Sequence, residues 1–209
     1  MGRLLAFVAR LITGAQGHWK GCPPEALQRI YFANHQSHLD WVLIWASLPG
    51  ELRARTRPIA AKDYWTASRF KHWLTREVFN AVYVDRTRPK GTSQDGTDDQ
   101  QDPLEPLVQA LQAGDSLVIF PEGTRSHRGE PQEFKSGLYH LARQFPQVQL
   151  VPAWIDNVQR VMPKGEVVPV PILCTVTFGT PVAVMAGEDK RDFLTRARNA
   201  VIGLRPPTA

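Results

Sequence analysis

Residues 34–40 read NHQSHLD, which sets His35, His38 and Asp40 within six positions, directly after the apolar run RIYFA. Such a group holds a metal, moves a proton, or has no chemical purpose. For metal, a three-residue step on a helix could bring His35 and His38 to one ion. The H-E-x-x-H and H-x-H-x-D-H spacings common in zinc hydrolases are both absent. Further ligands would have to come from His18, His72, His127 or His140, none in a metal-like context, so no metal is expected. Proton transfer is better served. A histidine at the mouth of a strand, with an aspartate five residues on in the first turn of a helix, can form a relay-like pair. The carboxylate fixes the imidazole tautomer, stabilises the imidazolium and leaves the other nitrogen free as a base. An imidazole, which ordinarily titrates near ~6.5, suits that task at neutral pH. Taken alone, however, an H-x4-D pair is more often a helix-capping aspartate beside an incidental histidine.

The chain carries no G-x-S-x-G elbow, and neither Cys22 nor Cys174 sits in a supporting motif. A base without an enzyme nucleophile would activate the hydroxyl of a substrate, or a water. A second constellation, FPEGTRS (120–126), combines a glycine turn, a carboxylate and a guanidinium behind an apolar strand. Arginine matches phosphate through its bidentate fork, and turn amides can add to an anion site. The G-x4-G-K-[ST] of a nucleotide loop is missing, so phosphate need not mean ATP. The plainer reading is an Arg–Glu surface pair in a tight turn.

The elements that must position these groups alternate. Strands are expected at 29–33, 57–61, 81–85, 116–120 and 150–154, with an extended run at 172–179. Helices are expected at 39–48 (ended by Pro49-Gly50), 63–79, 103–113 (closed by Gly114), near 136–145 and near 188–203. Residues 87–102 have no large apolar side chain and read as a surface loop. The alternation predicts a single α/β domain with a largely parallel sheet flanked by helices, in which sites gather where strands end. Both NHQSHLD and PEGTRS lie at such places.

At 209 residues and 43% hydrophobic, the chain is long enough for one sizeable core. Two distant cysteines without a CxxC suit a reducing compartment and exclude an evident disulfide framework. The +5 charge is uneven: residues 1–90 hold 14 Lys/Arg against 6 Asp/Glu, the remainder 11 against 14. A basic half suggests an anionic partner. No apolar run approaches the ~18–20 residues needed to span a bilayer. In MGRLLAFVARLITG, Leu4, Leu5, Val8, Leu11 and Ile12 share one helical face with Arg3 and Arg10 opposite. That pattern fits a helix lying in a membrane interface or one packed on the protein's own core. Trp41, Trp45, Trp65 and Trp73 could stack on bases, but on apolar helices they suit a membrane interface equally well.

In this order and about 80 residues apart, NHQSHLD and FPEGTRS resemble the first and third signature blocks of the glycerolipid acyltransferases, the 1-acyl-sn-glycerol-3-phosphate acyltransferase family. YVDR (83–86) resembles the second block, VPAW (151–154) the fourth, and FKSG (134–137) the Phe-Lys-x-Gly that commonly follows the third. The resemblance covers roughly residues 30–155; Asn80 and Tyr83 depart from the usual Gly and Phe of the second block. It implies a glycerol-phosphate acyltransferase-like fold, and transfer of an acyl group from acyl-CoA or acyl-carrier protein to a lysophospholipid hydroxyl, most simply lysophosphatidic acid giving phosphatidic acid. By this resemblance His35 is the general base and Asp40 orients it, while His38 is a spacer. Arg86, Glu122, Gly123 and Arg125 form the acceptor site, with Lys135 adding charge. No cofactor beyond the donor thioester and no nucleic acid are implied. The expected organisation is an interface segment at 1–20 and an acyltransferase domain at 21–209, peripheral to the cytoplasmic face of a membrane. The competing reading is a lipid-binding or lipid-transfer protein that keeps the fold without turnover.

Overall fold

The computed structural model describes residues 16–37, 40–61, 80–84, 102–126, 130–156 and 174–207. The helix expected at 63–79, all but the last residue of the loop expected at 87–102 and the amphipathic segment 1–14 lie outside these residues, as do His38, Arg86, Trp65 and Trp73.

RIYFA forms β2 (Arg29–Ala33), and all five residues are buried. An unbroken apolar run of this length is what a strand covered on both faces requires. It sits at the centre of a seven-stranded sheet of order β1-β7-β6-β2-β5-β3-β4. The other strands are β1 (Gln16–Trp19), β3 (Thr56–Ala61), β4 (Val82–Val84), β5 (Ser116–Ile119), β6 (Gln149–Asp156) and β7 (Thr175–Phe178). From β6 to β4 every neighbouring pair is parallel. Among the described strands the antiparallel pair is β6 with β7, and β1 runs parallel to β7 at the edge. The largely parallel α/β sheet expected from the alternation is the one found, and it needs helical crossovers.

Five helices are described: α1 (Asp40–Ser47), α2 (Gly50–Ala54), α3 (Glu105–Gln112), α4 (Gly137–Gln144) and α5 (Lys190–Ile202). They separate two cores by the period-2 alternation of the strands. Tyr31, Ala33, Val118 and Val151 face α1, where Trp41, Leu43, Ile44 and Trp45 pack with Phe178. Ile30, Phe32, Leu117 and Ile119 face α3, α4 and α5. Trp41 and Trp45 are therefore core residues, each 4% exposed. That removes them as stacking platforms for bases and as anchors in a membrane interface.

The terminations follow local chemistry. Gly114 at φ +84 closes α3, and Asp189 caps α5 by accepting from the N–H of Arg191 and of Asp192. Pro49 ends α1 but starts α2, whose sequence GELRA has too little apolar character to stand out. Strand β1 lies within the 1–20 stretch read as an interface segment, and it forms the sheet edge beside β7.

Candidate active site

The two constellations meet because β2 and β5 are adjacent and parallel. Phe32 is in register with Ile119, so the chain leaves both strands at the same edge, three residues before His35 and three before Glu122. On the other side of β2, Asn34 clasps β6: its amide donates to the Ile155 carbonyl at 3.0 Å and accepts from the Ile155 N–H at 2.8 Å. The start of the His35 loop is thus fixed to both neighbours.

His35 is buried with 7% exposure, its ring stacked on Phe120 at 4.3 Å and 15°. Its Nδ1–H donates to Asp40 Oδ2 at 2.9 Å. The same oxygen accepts from the N–H groups of Gln36 at 2.6 Å and Ser37 at 2.8 Å. Asp40, the first residue of α1 and fully buried, thus bonds the histidine, and the amides that it gathers belong to the loop ahead of the helix and not to the helix's own first turn, as a capping aspartate's would. Oδ2 acts as the acceptor of all three, which fixes the imidazole tautomer with its proton on Nδ1. Nε2 is left as the nitrogen able to take a proton.

PEGTRS turns sharply on Gly123, at φ +69, where a side chain would be strained. A Cβ there would also stand 2.6 Å from Lys135 Nζ, because the lysine side chain lies across the glycine. The Lys135 N–H holds the turn by donating to the Pro121 carbonyl at 2.8 Å. Arg125 and Lys135 are exposed beside this turn, where a phosphate could reach both. Glu122 is different. It is 1% exposed, Oε1 accepts from the His35 N–H at 2.8 Å and Oε2 from the Gln132 N–H at 2.8 Å. Burial pushes its carboxyl above the usual range, opposed by these two amide donors and by nearby His35, while Asp40 adds to the rise.

His35, Asp40, Glu122, Gly123, Arg125 and Lys135 thus converge on one sheet edge, and Arg86 lies outside the described residues. Asn34, Phe120 and Ser126 also hold the site, and the sequence reading gave them no role. Ser126 donates its N–H to the His35 carbonyl at 2.7 Å and its hydroxyl to the Glu130 carbonyl at 2.6 Å. Only the strand register shows these contacts. Both cysteines are free and buried, and burial, aided by Asp156 and Asp40, pushes the Cys174 thiol up to about 11. Among the described residues no group of three or more His, Cys, Asp or Glu could hold a metal ion, and no helix is long and apolar enough to cross a membrane. The arrangement sets two exposed cations beside the PEGTRS turn and a buried imidazole–carboxylate pair next to it.

Residues 23–156 match the family model described as Acyltransferase. The human 1-acyl-sn-glycerol-3-phosphate acyltransferase alpha is 34% identical over 162 residues, covering 75% of this chain and 51% of that protein. A 1-acyl-sn-glycerol-3-phosphate acyltransferase from Limnanthes douglasii is 28% identical over 185 residues, covering 87% of this chain and 59% of its own. The chain thus spans about half the length of the curated relatives it matches. The crystal structure of the 1-acyl-sn-glycerophosphate (LPA) acyltransferase, PlsC, from Thermotoga maritima superposes with a TM-score of 0.70 over 97% of this chain and 78% of that one. At 19% identity it speaks for the fold. With the family model spanning the whole stretch that carries both constellations, the chain belongs to the acyltransferase family, the glycerolipid acyltransferases that its four blocks resemble.

Proposed function

We propose that the protein transfers a fatty acyl group from a thioester, acyl-CoA or acyl-carrier protein, to the free hydroxyl of a lysophospholipid, with 1-acyl-sn-glycerol-3-phosphate as the acceptor and phosphatidic acid as the product. The observation that carries this reading is the buried His35–Asp40 pair, bonded at 2.9 Å and backed onto the PEGTRS turn. His35 Nε2 takes the acceptor hydroxyl proton as its oxygen attacks the thioester carbonyl. Asp40 stabilises the imidazolium that results. When the carbon–sulfur bond breaks, the imidazolium returns the proton to the leaving thiolate, and no acyl-enzyme forms. The buried cysteines and the engagement of Ser126 with Glu130 agree with direct transfer. Arg125, with Arg86 and Lys135, binds the glycerol phosphate around the Gly123 turn.

The acceptor is a lipid, so the site works at a membrane surface. The amphipathic pattern within residues 1–14 supports peripheral attachment at the cytoplasmic face, and the acyltransferase domain starts earlier than residue 21, since β1 (Gln16–Trp19) belongs to its sheet. Of the basic residues that could add to this, Arg57 is already bonded to Asp115 at 3.0 Å and contributes less. The test is an assay of purified protein against a panel of lysophospholipids, with acyl-CoA and acyl-carrier protein compared as donors. Transfer to lysophosphatidic acid is expected. Lipid binding without transfer from either donor would instead make the protein a non-catalytic lipid binder.

A further inference from the structure

We infer that Glu122 is a positioning residue and not a ligand of the acceptor: its buried carboxylate ties the general-base loop to the segment 130–132, which Arg198 of the C-terminal helix holds in place. For its catalytic consequence this rests on the function proposed above.

The loop carrying His35 has little regular structure, yet the amides of residues 35–37 are engaged. The N–H groups of residues 35, 36 and 37 end on two carboxylates, the first on Glu122 and the next two on Asp40. The His35 carbonyl accepts from the Ser126 N–H at 2.7 Å, so the backbone of the base is gripped on both sides by the PEGTRS turn. With both oxygens of Glu122 on amides and 1% of the residue exposed, no face of this carboxylate remains for a glycerol phosphate. An anion beside a phosphate site would also repel the ligand. Its chemistry suits a bridge between two backbone donors, which requires an acceptor at both ends.

The far end of the bridge is Gln132. Its segment is fixed by three bonds: Ser126 Oγ–H to the Glu130 carbonyl at 2.6 Å, Arg198 Nε–H to the Pro131 carbonyl at 2.9 Å, and the Gln132 N–H to Glu122. Arg198 is half-buried on α5, whose Phe193, Ala197 and Val201 are fully buried against the sheet. A rigid helix is thereby linked through Pro131, Gln132 and Glu122 to the backbone of His35. This gives the C-terminal region, which carries no signature block, a part in the site.

The variants are Glu122→Gln, Arg198→Ala and Arg198→Lys, read by steady-state kinetics, by amide hydrogen exchange at His35 and Gln132, and by near-UV circular dichroism to verify folding. Glutamine keeps one acceptor but turns an NH2 group toward the second N–H, so one of the two amides must open. The expected result for Glu122→Gln is a fall in kcat of about 10²-fold, the scale of a misplacement of ~1 Å, with acceptor and donor KM unchanged and faster exchange at one of the two amides. Arg198→Ala should show the same signature at smaller size, and Arg198→Lys, which keeps a donor, should recover part of it. If Glu122→Gln does not fold, the Arg198 pair carries the test. A selective rise in acceptor KM with exchange unchanged would overturn the inference by making Glu122 a ligand. Unchanged exchange and kcat in Arg198→Ala would overturn the role of the helix. Should the wild-type protein transfer no acyl group, the proposed function fails, while exchange at His35 and Gln132 still decides whether the bridge exists.

Discussion

Asp40→Asn separates the two tasks of the aspartate, and the structure predicts how. Oδ2 receives the His35 Nδ1–H and the N–H groups of Gln36 and Ser37, whereas Oδ1 is buried without a hydrogen-bond partner among the described residues. Asparagine must therefore place its carbonyl oxygen where Oδ2 stood, because the reverse orientation would turn its NH2 group against three donors. The imidazole keeps its tautomer, and the amide NH2 falls in the unpartnered position, where a buried unsatisfied donor costs about 1–3 kcal/mol. What is lost is the charge. An ion pair with centres ~4 Å apart contributes about 4 kcal/mol at an effective dielectric of ~20. That interaction exists only once His35 has taken the proton, so its loss falls on the transition state and is worth roughly 10³ in kcat at ~1.4 kcal/mol per decade. Asp40→Ala should be worse in both respects, since three donors then lose their acceptor. The assay is acyl transfer under saturating donor, alongside thermal unfolding. An Asp40→Asn protein within about fivefold of wild-type kcat would refute the electrostatic argument, and an alanine variant matching asparagine would refute the argument from orientation.

Arg125→Ala should lower acceptor kcat/KM by roughly ten- to a hundredfold, the equivalent of a charge-assisted hydrogen bond of about 1.5–3 kcal/mol; a loss confined to the thioester donor would contradict its place on the phosphate. Burial leaves the folded-state pKa of Glu122 above 4.5, so just above that pH the folded protein binds this proton more tightly than the unfolded chain. The contribution of Glu122 to stability therefore falls as pH rises from 4.5 through its raised pKa. Urea unfolding across that window should show this component in the wild type and not in Glu122→Gln. With its thiol pushed up to about 11, Cys174 should be ionised in only ~10⁻³ of molecules at pH 8, and alkylation should follow unfolding. Rapid labelling of the native protein at this position would contradict the packing around β7.

The sequence was legible where one signal dominated. Strands β2 and β5 read directly from RIYFA and SLVIF, because strands buried on both faces are continuous apolar runs. Strand β1, with sequence QGHW, offers no such run and is held by pairing with β7, which no local pattern announces. Helix α2 was hidden because Pro49-Gly50 reads as a stop, yet Pro49 precedes the first turn of a new helix. Within the site, the five-residue separation of His35 and Asp40 left a relay pair and a capping aspartate both open, and only the resemblance of NHQSHLD to a signature block chose the pair. The contacts of Glu122 with His35 and of Arg198 with Pro131 were not, since they span 87 and 67 positions and depend on register and helix placement.

The central claim is that His35 removes the proton from the acceptor hydroxyl. Its most direct test is kcat/KM for acyl transfer to lysophosphatidic acid by His35→Ala, in protein shown to be folded by circular dichroism, with His38→Ala as the companion. General-base catalysis is typically worth about 10²–10⁴ in rate, so His35→Ala should lose at least that much while His38→Ala keeps substantial activity. A loss of less than about tenfold in folded His35→Ala would contradict the account, because a base holding its share of such a barrier cannot be removed so cheaply.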